Sequence, residues 1–395
     1  MTKLAIFALD KLRRGLKLWR SFRGPAPAGL AEQRIVSGQS WDEFCDTLKA
    51  AGAALSFPGA PQDPFSQAEG YRYLSRLLRA GLEGFLEDAD PRVPVLKRVV
   101  HETIKMGADN PDNYYQNATI SGAYEYRLRG NRGSVAYLSF ATQAGHYGQG
   151  GGLPPTGSLE ASALRLEPNG DFEIVISCRE QPGKNWLPMR PETGLLIVRQ
   201  TFLDRKNESL ATLHIERTDG AKQPLPITPA SVDEGLSNAG TLVAGASLLF
   251  AKWARDFQAH SNKLPRFDQE VSNAAGGDPN IAYYHSHWHL EDDEALIIEV
   301  VPPNCQHWNF QLNNYWMESL DYRYFTIHKN KHTTRLSPDG TARLVVAHRD
   351  PGVPNFIDTA GHKSGTMLFR WVRADSHPVP QTRIVSLAEA RRLFG

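Results

Sequence analysis

The feature that most constrains the fold of this chain is a long internal duplication. Residues 165–203 and 335–373 repeat one pattern at a nearly constant offset of 170 residues. The matched pairs, the last two after one inserted residue, are Arg165/Arg335, Leu166/Leu336, Pro168/Pro338, Gly170/Gly340, Val175/Val345, Arg179/Arg349, Asn185/Asn355, Gly194/Gly365 and Arg199/Arg370. A repeat of this length is a folded unit used twice. We therefore expect shared residues to be scaffold, and residues present in one copy to be candidates for function.

Each copy is predicted to be an antiparallel β module. Short β-rich runs begin at Phe172 and Ala342, and each follows a Pro-Asn-Gly or Pro-Asp-Gly turn. Weaker matches such as Phe140/Phe310 extend the repeat upstream at the same offset. Each module must bury one apolar face, so the two pack face to face or form adjoining sandwiches. The predicted fold class is α+β, with two duplicated antiparallel, sandwich-like β modules and N-terminal, linking and C-terminal helices.

The predicted segments follow from this arrangement. They are an N-terminal helical segment (1–106), β module one (107–215), a linking helix region (216–275), β module two (276–380) and a C-terminal helix (381–395). Four Ser-x-x-Glu capping boxes predict helices that begin near residues 41, 67, 232 and 387. The boxes are Ser40/Glu43, Ser66/Glu69, Ser231/Glu234 and Ser386/Glu389.

Composition narrows the class of protein. A chain of 395 residues with 41% hydrophobic and 22% charged residues is typical of a soluble globular protein. The net charge of +1 gives no reason to expect a nucleic-acid partner. Three scattered cysteines without a C-x-x-C motif fit a reducing compartment, and we expect a cytoplasmic location.

The N-terminus carries a basic amphipathic pattern over residues 4–22. Leu9, Leu12, Leu16 and Trp19 recur at spacings of three and four, with Lys and Arg between them. Such a helix could lie on the inner face of a membrane, which would be a peripheral contact. It could instead pack on the body of the protein or on a second subunit of a homo-oligomer, and we prefer this interpretation.

Histidine distinguishes the second copy from the first. Nine of the 13 histidines lie from residue 285 onward. At the offset of 170, three of them replace Tyr115, Asn117 and Thr119, and others replace Tyr137 and Cys178. Alternate histidines on a strand point to one face and could chelate a divalent metal, although no cofactor is required by any motif. The candidate metal ligands are His285, His287, His289 and His307.

A proline-stiffened loop at residues 348–362 gathers further imidazole and carboxylate groups. Such pairs provide general acid–base chemistry near neutral pH. Arg349 and Asn355 have counterparts in copy one, so they are assigned to loop architecture. The candidate catalytic residues are His287, His289, His348, Asp358 and His362.

An aromatic strand and its exit, residues 307–322, could line an apolar or sugar-stacking pocket. Its rings alternate with amide and carboxylate side chains. The candidate ligand-binding residues are Trp308, Asn313, Trp316, Glu318, Asp321 and Tyr322. An alternative places Trp308 and Phe310 in the β core, and for Phe310 the match to Phe140 favours the core.

Three segments, 108–130, 308–322 and 345–371, resemble bacterial proteins that carry the domain of unknown function 1214. The resemblance spans roughly residues 40–385, and the third segment is its most specific part. It implies a soluble, β-rich, duplicated architecture and no settled reaction. This chain has Asn355-Phe356 where the family has Asn-Trp, whereas the first copy keeps Asn185-Trp186.

Two hypotheses of function follow. The first is an enzyme, a hydrolase or lyase, that acts on a small apolar or ring-containing molecule by hydrolysis or elimination with His and carboxylate groups of module two. The second is a non-catalytic protein that binds a hydrophobic or glycosidic ligand. A G-x-S-x-G elbow, a P-loop and an H-E-x-x-H motif are all missing from the sequence.

Overall fold

The duplication is visible as two β modules with the same strands in the same order. The computed structural model describes residues 28–149, 152–220 and 223–394. The strands of module one are β1 (Asn113–Thr119), β2 (Tyr126–Asn131), β3 (Tyr137–Ala144), β4 (Pro155–Glu160), β5 (Asp171–Ser177), β6 (Asn185–Pro188), β7 (Thr193–Thr201) and β8 (Thr212–Arg217). Those of module two are β9 (Ile281–His289), β10 (Glu294–Val300), β11 (Cys305–Leu312), β12 (His328–Asn330), β13 (Ala342–Ala347), β14 (Phe356–Asp358), β15 (Ser364–Ala374) and β16 (Gln381–Ser386).

Each module consists of two four-stranded sheets. The sheet orders are β1-β7-β3-β4 and β6-β5-β2-β8 in module one, and β9-β15-β11-β12 and β14-β13-β10-β16 in module two. All pairs are antiparallel except β5 with β6 and β13 with β14. The predicted fold class is therefore confirmed. Module two also extends beyond residue 380, because β16 repeats β8 and precedes the last helix.

Six α-helices accompany the sheets in the described residues. They are α1 (Ala28–Val36), α2 (Gln39–Ala51), α3 (Pro64–Leu82), α4 (Pro229–Phe257), α5 (Gln269–Ala274) and α6 (Leu387–Phe394). The four predicted helices begin within three residues of the expected positions, but most of the caps differ. Asp63 caps α3 and Thr228 caps α4, each accepting a hydrogen bond from the serine that the pattern had named, while Ser386 caps α6 as predicted.

Apolar residues form one core inside each sandwich and a further core between the modules. Phe140 lies fully buried in the first sandwich and Phe310 in the second, so their scaffold assignment is confirmed. The further core joins α3 and α4 to the outer faces of both modules through residues such as Phe250, Tyr137 and Leu368. The long helix α4 is buried because α1, α2 and α3 pack on it and β9 and β15 of module two contact it.

Reciprocal hydrogen bonds hold the modules together. Arg199 of β7 donates from Nη2 to the carbonyl of Gly276, 2.6 Å away, just before module two. Arg370 of β15 donates from Nη2 to the carbonyl of Ala108, just before module one. Gly276 and Ala108 both have positive φ angles, 91° and 56°. These matching contacts are those of a self-complementary interface, as in a two-fold dimer.

Candidate functional site

A cavity of about 990 Å³ lies between the modules, at this reciprocal interface. Its walls come from β1, β3 and β7 of module one, from β9 and β15 of module two, and from helix α4. The volume is in the range of pockets that hold small organic molecules. Leu225 and Ile227, which are 61% and 80% exposed, line one end, whereas Arg199 and Arg370 are 7% and 4% exposed. The two arginines therefore lie at the deep end.

Each module contributes a tyrosine and an arginine to the cavity. Tyr115 of β1 lies directly opposite Arg199 of β7, and Tyr283 of β9 lies opposite Arg370 of β15. The strand register thus matches Tyr115 with Tyr283, at an offset of 168. The sequence prediction that His285 replaces Tyr115 is wrong, because the two copies of this strand align at an offset of 168 residues and not 170. His285 matches Asn117 instead, and both line the cavity.

Each tyrosine is held by a turn, and the two turns have the same form. The backbone N–H of Asn110 donates to Tyr115 Oη at 3.0 Å, and that of Asp278 donates to Tyr283 Oη at 2.9 Å. Asn110 and Asp278 each precede a proline and use their own side chain to accept a backbone N–H two residues on. Burial raises the pKa of both phenols, that of Tyr283 to about 12, so they are neutral hydrogen-bonding groups.

The two arginines have different surroundings. Arg370 donates from Nη1 to Asn309 Oδ1 at 3.2 Å and to Gln311 Oε1, besides its bond to Ala108. Arg199 has the bond to Gly276 alone among the hydrogen bonds of the described residues. Within those residues, no carboxylate forms a salt bridge with either guanidinium, although Asp278 lies near enough to act on Arg199 electrostatically.

Electrostatics keep Arg199 charged. Burial lowers its pKa, but the charge of Asp278 and the neighbouring tyrosines outweigh burial and leave that pKa above its ordinary value. Burial lowers the pKa of Arg370, which still binds its proton because guanidinium pKa values are so high. The deep end of the cavity therefore has two buried positive charges.

Aromatic and aliphatic side chains form the rest of the deep wall. Phe250 and Trp253 of α4 line it together with Ile281 and Leu368. His285 lies among Trp253, Phe257 and Phe267, with ring centroids 5.0–6.1 Å away. Burial lowers the pKa of His285 to about 3, so this imidazole is neutral near pH 7.

Polar atoms without a hydrogen-bond partner lie along the same cavity. They include Asn113 Oδ1, Gln143 Oε1 and His285 Nδ1, all from lining residues that are buried. Unpaired buried polar groups are uncommon in folded proteins and call for an explanation. A site that is completed by a polar ligand is such an explanation.

The candidate catalytic residues lie outside this cavity. His287 contacts Ser261 Oγ through Nδ1 at 2.7 Å, and burial lowers its pKa to about 4. His289 is exposed and lies 3.2 Å from Glu291. Neither is among the lining residues found in the described chain. The predicted pair on β9 therefore does not face the large pocket.

The loop candidates have structural contacts. Both ring nitrogens of His348 are occupied, by Thr359 Oγ1 at 2.8 Å and by the carbonyl of Leu290 at 3.1 Å. Asp358 accepts the N–H of Ala360 at 2.7 Å. His362 Nε2 lies 2.9 Å from Glu69 of α3. These groups hold the loop to its neighbours and do not converge on the cavity.

The six predicted ligand-binding residues also lie away from the cavity. Trp308 is in the core of module two, stacked on Phe369 at 5.5 Å. Asn313 is fully buried, and Trp316 donates from Nε1 to the carbonyl of Ser66 at 2.9 Å. The remaining three are held by neighbouring cations: Glu318 by Arg76, Asp321 by Arg323 and Tyr322 by Lys105.

The four predicted metal ligands are not brought together. His307 lies on β11, which β15 separates from β9 and its three histidines. His307 is buried 3.3 Å from Asp112. No group of three or more His, Cys, Asp or Glu side chains in the described residues is arranged to hold a metal ion.

The membrane prediction for residues 4–22 lies outside the described residues. Among the residues that the structure describes, no helix has the length and apolar character needed to cross a bilayer.

Sequence reasoning missed the arginines because it set aside residues shared by both copies. Arg199 and Arg370 were matched, and the rule that shared residues are scaffold removed them from the candidates. The available signal was a second shared motif: Asn110-Pro111 and Tyr115 recur as Asp278-Pro279 and Tyr283. The copies of this motif are 168 residues apart, so an alignment at a constant offset of 170 does not match them.

Comparisons with known proteins find similar solved structures. No family model matches it, and no curated protein matches it. The resemblance to proteins with the domain of unknown function 1214 therefore stays a prediction. A protein from Vibrio parahaemolyticus aligns with a TM-score of 0.47 at 11% identity, over 80% of this chain and 98% of its own.

A crystal structure from Burkholderia cenocepacia is much more similar. That uncharacterised protein is 50% identical and superimposes with a TM-score of 0.88, over 90% of this chain and 99% of its own. The chain belongs to the same family as this uncharacterised Burkholderia protein.

Proposed function

We propose that the protein binds a small organic acid with an apolar body in the cavity between its two modules. The observation that carries the proposal is Arg199, a buried guanidinium that faces the cavity and has no salt bridge to a carboxylate in the described residues. Arg199 donates one hydrogen bond, to Gly276, so most of its planar fork of N–H donors is left to pair with the oxygens of an anion.

The rest of the lining supports an acid with an apolar body. Phe250, Trp253 and Leu368 give apolar contact area beside the arginines. Neutral phenols at Tyr115 and Tyr283 can order the polar end of a ligand without adding charge. The proposal therefore keeps the apolar or ring-containing molecule expected from the sequence and adds a carboxylate to it.

Binding is favoured over catalysis for this cavity. A general acid or base works best when its pKa lies near the operating pH. His285, with a pKa of about 3, and Tyr283, with a pKa of about 12, are both far from that range. Hydrolysis or elimination at the histidines of module two is a separate hypothesis, which no contact of the cavity favours.

Isothermal titration calorimetry of the full chain tests the proposal with matched pairs of acid and amide. Hydrocinnamate and benzoate are compared with hydrocinnamamide and benzamide. We expect at least one acid to bind, and its uncharged amide to bind roughly tenfold more weakly or worse, because the amide cannot form a charge-assisted pair with Arg199.

The variants Arg199→Gln and Arg349→Gln supply the control. Arg349 is exposed and pairs with Asp293, so its loss should leave affinity unchanged. Arg199→Gln should reduce affinity for the acid roughly tenfold and leave the amide unaffected. Equal affinity for acid and amide, or no acid binding up to about 10 mM, would overturn the proposal.

A further inference from the structure

We propose that the site takes a monocarboxylate and that Arg199 alone holds its carboxylate, whereas Arg370 serves the scaffold. This inference rests on the proposed function and names the substrate class of that same site. It is drawn from a comparison of the two copies of the module, each of which acts as a control for the other.

The two arginines have different neighbours on the adjacent strand. Arg199 lies opposite Ser139 of β3, and Arg370 lies opposite Asn309 of β11. Two residues farther along these strands, copy one has Ala141 where copy two has Gln311. The amide side chains that accept from Arg370 therefore have no counterpart beside Arg199.

Arg199 keeps N–H donors that no group of the described residues uses. Ser139 Oγ donates to Asp278 Oδ2 at 2.9 Å and, among the described residues, accepts no hydrogen bond from Arg199. An arginine has five N–H donors in a planar fork that matches both oxygens of a carboxylate. Arg199 uses one of its two Nη atoms for Gly276, which leaves the rest of the fork to the ligand.

The surroundings of Arg370 disfavour a second carboxylate. Arg370 already donates to Asn309, Gln311 and Ala108. The neutral His285 and the rings of Phe250 and Trp253 line the cavity with it. The other cations of the lining, Arg92 and Lys97, already pair with Asp90 and Asp88. A second anionic group there would be desolvated without a partner, which is strongly unfavourable. Asp278, close to Arg199, adds repulsion against a dianion.

The first test needs no variant. Calorimetry compares hydrocinnamate with phenylsuccinate, which adds a second carboxylate to a similar body. We expect the monoacid to bind at least roughly tenfold more tightly than the diacid. Equal or tighter binding of the diacid would overturn the inference and leave the proposed function standing. Failure of every acid to bind would overturn the proposed function itself.

The second test transfers the scaffold of copy two into copy one. Ala141→Gln places an amide acceptor where it can satisfy Arg199, as Gln311 satisfies Arg370. We expect hydrocinnamate affinity to fall roughly tenfold, with the melting temperature maintained or raised. If the folded variant binds with wild-type affinity while Arg199→Gln does not, the free donors of Arg199 are not the reason for binding, and the inference is wrong.

Discussion

Single side chains join distant parts of this chain, and the pair of Glu69 and His362 is the clearest case. Glu69 lies on α3 and His362 on the loop between β14 and β15, with 2.9 Å between Oε2 and Nε2. Both side chains are buried, and Arg72 lies 3.0 Å from the same carboxylate. Burial lowers the pKa of His362, but Glu69 and two backbone carbonyls raise it more, so that pKa lies above its ordinary value.

We predict that this pair makes stability depend on pH. Because the folded pKa of His362 is raised, the native state binds the proton more tightly than the unfolded state does. The stabilisation is fully present below about pH 6.5 and is lost as the pH rises through the folded pKa. Urea unfolding at about pH 6 and about pH 9 should show the wild type losing more stability than His362→Gln.

The control for this prediction is His289→Gln, because His289 is exposed. This variant should keep the pH dependence of the wild type. A difference between wild type and His362→Gln that is constant or grows with pH would contradict the assigned direction of the pKa shift.

Shared asparagines show where the duplication predicted residue roles correctly. Asn185 accepts the N–H of Arg165 at 2.8 Å and donates to two carbonyls of its module. Asn355 accepts the N–H of Arg335 at 2.8 Å and donates to the equivalent carbonyls. Their assignment to loop architecture is confirmed, because the same local hydrogen bonds recur in each copy.

Elements pack closely where glycine permits it. A Cβ atom at Gly70 of α3 would lie 2.6 Å from Leu55 and 2.8 Å from the ring of Trp316. Trp316 belongs to the segment after β11, and its Nε1 donates to the carbonyl of Ser66 on the same helix. The indole therefore sets the distance between α3 and module two.

We predict that Gly70→Ala destabilises the protein by about 1–3 kcal/mol, although alanine favours helix, because overpacking must displace a buried tryptophan. Gly29→Ala in α1 is the matched control, since a Cβ there would meet no atom within 4 Å. That change should be neutral or stabilise by up to about 1 kcal/mol. Denaturant midpoints measure both, and equal effects of the two variants would contradict the packing argument.

At the scale of the whole molecule, two copies of one module form an interface with each other inside a single chain. The reciprocal bonds of Arg199 to Gly276 and of Arg370 to Ala108 have the pattern of a symmetric dimer. Differences between the copies then decide what each arginine does. Arg370 donates to side-chain amides of its own sheet, whereas Arg199 lines the cavity and has N–H groups without an acceptor in the described residues.

We predict that the two arginines differ in their contribution to stability. Arg370→Gln should cost about 2–4 kcal/mol, because it breaks several buried hydrogen bonds and leaves acceptors unpaired. Arg199→Gln should cost about 1 kcal/mol, because it breaks a single buried hydrogen bond, the one to Gly276. Urea unfolding of ligand-free protein measures both. A loss at Arg199 that equals or exceeds the loss at Arg370 would contradict the division of roles.

The sequence alone determined the parts of the fold that depend on local pattern. Short β-rich runs after Pro-Asn-Gly and Pro-Asp-Gly turns predicted the strands at 172 and 342, and the repeat predicted two equal modules. Loop residues such as Asn185 and Asn355 were assigned correctly because their partners lie within 20 residues in the chain. Such interactions are encoded by spacing, and spacing is what a sequence displays.

The tertiary structure decided the location of the site. The cavity depends on how two sheets and helix α4 come together, and its arginines bond to carbonyls 77 and 262 residues away. Three of the histidines predicted as catalytic form hydrogen bonds to other parts of the protein. His287 contacts Ser261, His348 contacts Thr359 and His362 contacts Glu69, and no local pattern indicates these partners. A side chain becomes part of a site through what surrounds it, and those surroundings are set by long-range packing rather than by residue type.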